Sequence, residues 1–266
     1  MTRVGVVGAQ GRMGQAVCSA VQDDPALELV AAIDIKDPPE DLQKDPPEDL
    51  QKDPQNDPPN NFLEILLENR CEVVVDFTVA SAARQTLGFL AANGIHAVVG
   101  TTGFTEEDLA VFADVFTESN CLIAPNFAIG AVLMMRFAEL AAPHFSTAEV
   151  IEYHHDAKVD APSGTAMHTA ERIAAASAEW GDDPTQHEVL PGARGGQGPG
   201  GVRVHSVRMR GVVANQEVLM GTTGQTLSIR HDTIDRTSFM PGVLLGCKRI
   251  ADFEGLTLGL DAFLGL

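Results

Sequence analysis

The chain is short of the features that mark secreted, membrane-spanning and nucleic-acid-binding proteins. Its 266 residues include four cysteines, Cys18, Cys71, Cys121 and Cys247, far apart and with no CxxC pair. That spacing excludes a disulfide scaffold and reads as reduced thiols in or near a core. No apolar run reaches the roughly 20 residues of a bilayer-spanning helix, so no membrane partner is expected. The opening residues, MTRVGVVGAQ, enter a strand pattern directly, without the basic stretch and apolar core of a signal peptide, and a cytoplasmic location is expected. Basic residues are scarce: 18 Lys and Arg stand against 37 Asp and Glu, a formal net charge of −19. Phosphate backbones need a basic surface, so nucleic acid is excluded as a partner. A small anion is not excluded, but local cations and helix termini must hold it against a repulsive global field.

Hydrophobic residues make up 44% of the chain, enough for one large domain or two modest ones. Residues 36–60 stand apart. KDPPEDLQ occurs at 36–43, repeats at 44–51, and a third, decaying copy starts at Lys52. Seven of the fifteen prolines fall here with eight acids; proline removes backbone donors, and the side chains offer almost nothing to bury. It reads as a disordered acidic insertion in a surface loop.

Around it, strand patterns at 3–7, 27–33, 72–77, 96–99 and 121–124 alternate with helical patterns at 11–22, 62–68 and 81–92, one starting at Thr105, and one at 127–142. Repeated β-α-β units imply an α/β fold, a Rossmann-like doubly wound parallel sheet. The second half differs. A strand at 149–153, an Ala-rich helix at 164–178 and a glycine-rich loop at 192–201 precede a strictly alternating strand at 202–209. A hairpin turning at 222–224 follows. This predicts a second α+β domain on an open mixed sheet. The expected division is 1–126 plus 236–266 for the first domain and 127–235 for the second.

Gly8, Gly11 and Gly14 follow the first strand and open the first helix. Such glycines permit a tight turn and let backbone approach a pyrophosphate, while the helix start supplies free amides. Asp34 ends the second strand, where an acid can bind adenosine ribose hydroxyls. It favours NADH by repelling a 2′-phosphate, whereas Arg12 and Lys36 are cations that could accept one, so both cofactors stay open. The segments Gly100-Thr101-Thr102, Asp76-Phe77-Thr78 and Ala124-Pro125-Asn126-Phe127 all end parallel strands, at the edge where such sheets bind ligands.

Residues 149–166, EVIEYHHDAKVDAPSGTA, concentrate proton-transfer and anion-binding groups at the mouth of a helix. Adjacent histidines on an extended segment face opposite sides, so His154 and His155 are expected to do different jobs. Lys158 and the amides of Gly164 and Thr165, behind the helix cap Ser163, suit a carboxylate. His154, His155 and Asp160 lack the ligand set and spacing of a zinc site, so no metal is expected.

This run closely resembles the signature of the dihydrodipicolinate reductase family, and GAQGRMG, VDFT, GTTG, the PNF turn and GVRVHSVRMRGVVANQEVLMG match in order. The resemblance implies reduction of 4-hydroxy-tetrahydrodipicolinate by NADH and/or NADPH in the diaminopimelate route to lysine, on a small dicarboxylate substrate. It implies His154 and Lys158 as catalytic groups, and His155, Lys158, Gly164 and Thr165 as substrate contacts. It implies cofactor contacts at Gly8, Ala9, Gln10, Gly11, Arg12, Met13, Asp34, Gly100, Thr101, Thr102, Ala124, Pro125, Asn126, Phe127, Arg236 and Phe239. It further implies a homotetramer joined through the open sheets of the substrate domains. The rivals are a dehydrogenase of another small acid and a cofactor sensor without catalysis; the intact His154, Lys158 and Gly164-Thr165 set favours catalysis.

Overall fold

In the computed structural model of the chain, residues 1–34, 61–177 and 179–266 are described. The KDPPEDLQ repeat and Lys36 lie outside the described residues. Contacts group the chain into two units, Met1–Pro125 with Gly242–Phe263, and Asn126–Pro241 with Leu264–Leu266.

The first unit runs β1 (Thr2–Val7), α1 (Arg12–Asp23), β2 (Leu27–Ile33), α2 (Asn61–Glu68), β3 (Val73–Asp76), α3 (Ala80–Ala92), β4 (His96–Val99), α4 (Glu106–Val115) and β5 (Cys121–Ile123). The second runs α5 (Ile129–Ala141), β6 (Thr147–His154), α6 (Gly164–Ala176), β7 (Gly196–Gln197), β8 (Arg203–Arg208), β9 (Ala214–Thr222) and β10 (Gln225–Thr233). The chain then passes through α7 (Met240–Arg249) to β11 (Leu256–Leu258) and α8 (Asp261–Leu264).

The first sheet is ordered β11-β5-β4-β3-β1-β2, and every pair is parallel. β3 and β5 are buried along their whole length, as expected of parallel strands covered on both faces. Successive strands leave β1 in opposite directions, β2 to one side and β3 to the other, which opens a crevice beyond their carboxyl ends. The helix boundaries follow local chemistry. Thr105 and Asp108 form a reciprocal capping box that starts α4. Gly94, at φ 66, lets the Ile95 amide reach back to Leu90 O at 3.0 Å and ends α3. The pairing of β11 with β5 has no counterpart in the sequence-based expectation, because three residues are too few to show a period.

The second sheet is ordered β10-β9-β6-β8-β7 and is mixed: β6 and β8 run parallel, the other pairs antiparallel. Ala138 of α5 and Ala166, Ala170 and Ile173 of α6 pack over Val150, Val204, Val218 and Met220 on one face. The glycine-rich run expected as a plain loop holds β7 and a single helical turn, Pro199–Gly201. A Cβ on Gly200 would lie 2.7 Å from Ala174 Cβ, so close packing on α6 explains that glycine.

Two substitutions separate glycines required by packing from one that is not. A Cβ at Gly14 would lie 2.0 Å from the Gly8 carbonyl oxygen, and Gly14→Ala is expected to cost about 1–3 kcal/mol. A Cβ at Gly88, exposed on α3, meets nothing within 4 Å, and Gly88→Ala is expected to stabilise by about 0.5–1 kcal/mol. Urea denaturation midpoints that moved together for both variants would contradict this assignment.

Candidate active site

The turn after β1 is built by contact between backbones. Gly8 adopts φ +81, in the region that favours glycine, and Gly14 brings the start of α1 against it. Gly11 caps α1 with no side-chain cap, so the first amides of the helix have no intrahelical partner and face outward for an anion. The amides of Gly8 and Ala9 donate to Ile33 O at 2.8 and 3.0 Å, and that of Gln10 to Asp34 Oδ2 at 2.6 Å. The acid at the end of β2 is therefore tied to the glycine turn itself. Arg12 is exposed and Met13 half-buried beside it.

Across the crevice, Asp76 joins two neighbouring loops. Its Oδ1 accepts from the Thr78 amide at 2.8 Å, Thr78 Oγ1 at 2.7 Å and Thr101 Oγ1 at 3.1 Å. Burial pushes the Asp76 carboxyl above its ordinary range, against the opposing pull of these donors. Gly100 is packed so tightly that a Cβ would stand 1.9 Å from Phe77 Cε1. Thr102 is exposed, and the fully buried Ala124 and exposed Pro125 end β5. A glycine turn with free helix amides, an acid at the end of β2 and small-residue loops along the same edge fit a dinucleotide.

The second unit holds the other group of expected residues. His154 ends β6, with Nδ1 bonded to Glu152 Oε2. Glu152, 1% exposed, also receives two bonds from Arg208 of β8, both at 2.9 Å, and the Ser163 amide at 3.3 Å. Ser163 caps α6 by accepting from the Ala166 amide at 3.2 Å, which leaves the Gly164 and Thr165 amides without intrahelical partners. A Cβ at Gly164 would meet no protein atom within 4 Å, so open space lies beside these amides. Lys158 Nζ donates to both oxygens of Asp160, at 2.7 and 2.8 Å, and His155 is exposed. Arg208 donates to Asp160 O at 2.6 Å, which fastens the turn that carries Lys158.

The electrostatics follow from this packing. Burial lowers the His154 imidazole below its ordinary range; Glu152 pulls it up, and the charges of Lys158 and Arg208 press it down again. Burial alone would raise the Glu152 carboxyl, but the hydrogen bonds from Arg208, Ser206 and His154 outweigh it and hold it below the ordinary range.

Residues 8–13, Asp34 and 100–102 thus gather on one edge of the first sheet. His154, Lys158, Gly164 and Thr165 gather around Glu152 and Arg208 in the second unit. Asn126 and Phe127 begin that unit: Asn126 Oδ1 accepts from the Ala128 amide at 2.8 Å, its Nδ2 reaches Thr165 Oγ1 at 3.5 Å, and Phe127 is buried. Arg236, exposed, and Phe239, half-buried, lie on the helical turn Arg236–Phe239. Sequence reasoning missed Glu152 and Arg208. The first had a local signal, since residues two apart on a strand share a face and Glu152 precedes His154 by two. The second lay within the matched segment GVRVHSVRMRGVVANQEVLMG, where nothing in its spacing pointed to Glu152.

A cavity of about 350 Å³ lies at the opposite end of β6, lined by Thr147, Glu149, Trp180, Asp183, Arg194 and Arg203 among others. Its arginines are already paired, Arg194 with Glu149 at 2.9 Å and Arg203 with Asp183, so it offers an anion no uncompensated charge. The chemistry points to the mouth of α6 instead.

Comparison with known proteins agrees with the resemblance read from the motifs. Residues 2–127 match the family model for the N-terminus of dihydrodipicolinate reductase, and residues 130–264 the model for its C-terminus. The chain is 49% identical to a 4-hydroxy-tetrahydrodipicolinate reductase of Corynebacterium urealyticum, over 100% of both chains. It is 51% identical to one of Nocardia farcinica, over 99% of both. A solved structure of dipicolinate-bound dihydrodipicolinate reductase from Paenisporosarcina sp. TG-14 superimposes with a TM-score of 0.83 at 37% identity, covering 98% of this chain and 99% of that one. With both halves matched in order and relatives of this identity along its full length, the chain belongs to the dihydrodipicolinate reductase family.

Proposed function

We infer that the chain reduces 4-hydroxy-tetrahydrodipicolinate to tetrahydrodipicolinate with NADH or NADPH, in the diaminopimelate route to lysine. The observation that carries this reading is the gathering of His154, Lys158 and the free Gly164 and Thr165 amides around one end of β6. The related Paenisporosarcina protein is bound to dipicolinate, a flat dicarboxylate, which supports a dicarboxylate substrate here.

Reduced nicotinamide, when bound, supplies the hydride. The chain's own residues supply the rest. His154 delivers the proton that completes the reduction; its lowered pKa makes the protonated ring a readier donor than an exposed imidazole. Lys158 is the second acid and also holds a carboxylate, taking the substrate oxygens in place of those of Asp160. The Gly164 and Thr165 amides, at the positive end of α6, hold the other carboxylate, with His155 beside them. The residues on the glycine turn, Asp34, Gly100, Thr101, Thr102, Ala124, Pro125, Asn126, Phe127, Arg236 and Phe239 bind the cofactor.

The enzyme works in the cytoplasm as a homotetramer. Four free cysteines support a reducing compartment. α5 and α6 cover one face of the second sheet, whereas Ile151, Tyr153 and Leu219 stand on the other, which supports sheet-to-sheet association. Sedimentation is expected to give four times the chain mass, and Ile151→Glu a smaller species; a monomeric wild-type chain would overturn the assembly.

Freshly prepared 4-hydroxy-tetrahydrodipicolinate with either cofactor is expected to cause loss of the reduced nicotinamide's absorbance. No oxidation of NADH or NADPH would sink the assignment. His154→Ala and Lys158→Ala are each expected to lower kcat by at least about 100-fold while NADH fluorescence titrations stay unchanged. Gly164→Ala is expected to fold normally, since its methyl meets no protein atom, yet to raise KM for the dicarboxylate by occupying the approach to the α6 amides. An unchanged KM would place the carboxylate elsewhere.

A further inference from the structure

Glu152 has no part in the chemistry above, yet among the described residues it is the one buried carboxylate of the second unit. It meets His154 Nδ1 through Oε2, and through Oε1 it holds the amide of Ser163, the cap of α6. Arg208, bonded to both its oxygens, reaches on to the carbonyl of Asp160 in the turn that carries Lys158. The groups for proton delivery and for carboxylate binding therefore hang on a single ion pair.

We propose that Glu152 is the positioning residue of this site, keeping a proton on Nδ1 of His154 so that Nε2 is the nitrogen that exchanges protons with the substrate, and that Arg208 holds it in that role. The proposal rests on the reading of His154 as proton donor. A carboxylate bonded to Nδ1 fixes the tautomer of a histidine, because only a protonated Nδ1 can donate to it. In the donor step the Nε2–H bond breaks, its electron pair stays on nitrogen, and the proton passes to the substrate. The neutral ring keeps its remaining proton on Nδ1, against Glu152, and solvent restores the other.

Arg208 has its own part. An uncompensated Glu152 would stabilise the imidazolium and make it a reluctant donor. The groups that act on His154 are Glu152 on its own strand, Arg208 on β8 and Lys158 in the following turn, and the two cations offset the carboxylate. Orientation is thus obtained without locking the ring in its charged form.

The test uses the full chain labelled with ¹⁵N-histidine, the His154 signals being identified by their loss in His154→Gln. Above its titration midpoint, wild-type His154 is expected to carry its proton on Nδ1. In Glu152→Gln, Arg208 claims the amide oxygen and turns the amide nitrogen towards Nδ1, so the proton should move to Nε2. Then kcat should fall at least about tenfold with NADH affinity unchanged. Should that variant fail to fold, Arg208→Met decides: the titration midpoint of His154 is expected to rise. A wild-type ring protonated on Nε2 would overturn the proposal. So would a Glu152→Gln protein that binds NADH with unaltered tautomer and kcat, or an Arg208→Met protein with an unmoved midpoint. The tautomer and midpoint are read in the free protein, so they stand or fall apart from the substrate assignment, which absence of wild-type turnover would refute.

Discussion

The ion pair between Glu152 and Arg208 is the constraint on which the second unit's site depends. With Glu152 1% exposed, neither partner can be removed without leaving a charge in a poor solvent, at a cost of about 3–5 kcal/mol. The pair is placed by the sheet. Parallel registration of β6 with β8 sets His154 beside Arg208 and Glu152 beside Ser206, so the guanidinium reaches diagonally to the carboxylate on the same face. A slip of one residue would turn Arg208 to the opposite face and break every link at once. The histidine, the helix cap and the lysine turn are therefore tied to strand registry, the least deformable property of the unit.

Charge is balanced within this cluster more completely than the composition suggests. Arg208 is spent on Glu152, and Lys158 is held by Asp160. In a chain of net charge −19, attraction for a dianion cannot come from a general field. On the proposed reading it falls to the α6 amides, whose dipole needs no counter-ion, and to the Lys158 ammonium, which would exchange the exposed Asp160 for the substrate. The first unit meets the same problem differently. Its candidate anion-binding turn is backbone, with side chains excluded by close packing at Gly14 and Gly100 and by positive φ at Gly8, and Asp76 ties the loops after β3 and β4.

Much of this architecture was legible in the chain. The alternation of strands and helices predicted the parallel sheet, the capping box marked α4, and the motif at 149–166 brought His154, Lys158, Gly164 and Thr165 within a few turns of chain. What escaped was of two kinds. β11 is too short to show a period, and it exists because β5 offers an unpaired edge. The close packing of the glycine run on α6 depends on Ala174, which lies on a separate element.

By itself the sequence determined the family and the two kinds of sheet, and it named a contiguous run of candidate groups for the chemistry, because strand period, helix period and contiguous motifs are properties of neighbouring residues. Only the tertiary structure decided that Glu152 faces Arg208, 56 residues away, and that Asp76 receives Thr101, 25 residues away. Such pairs come into being when strand registry is set and water is excluded, and nothing in the spacing of either partner encodes the other.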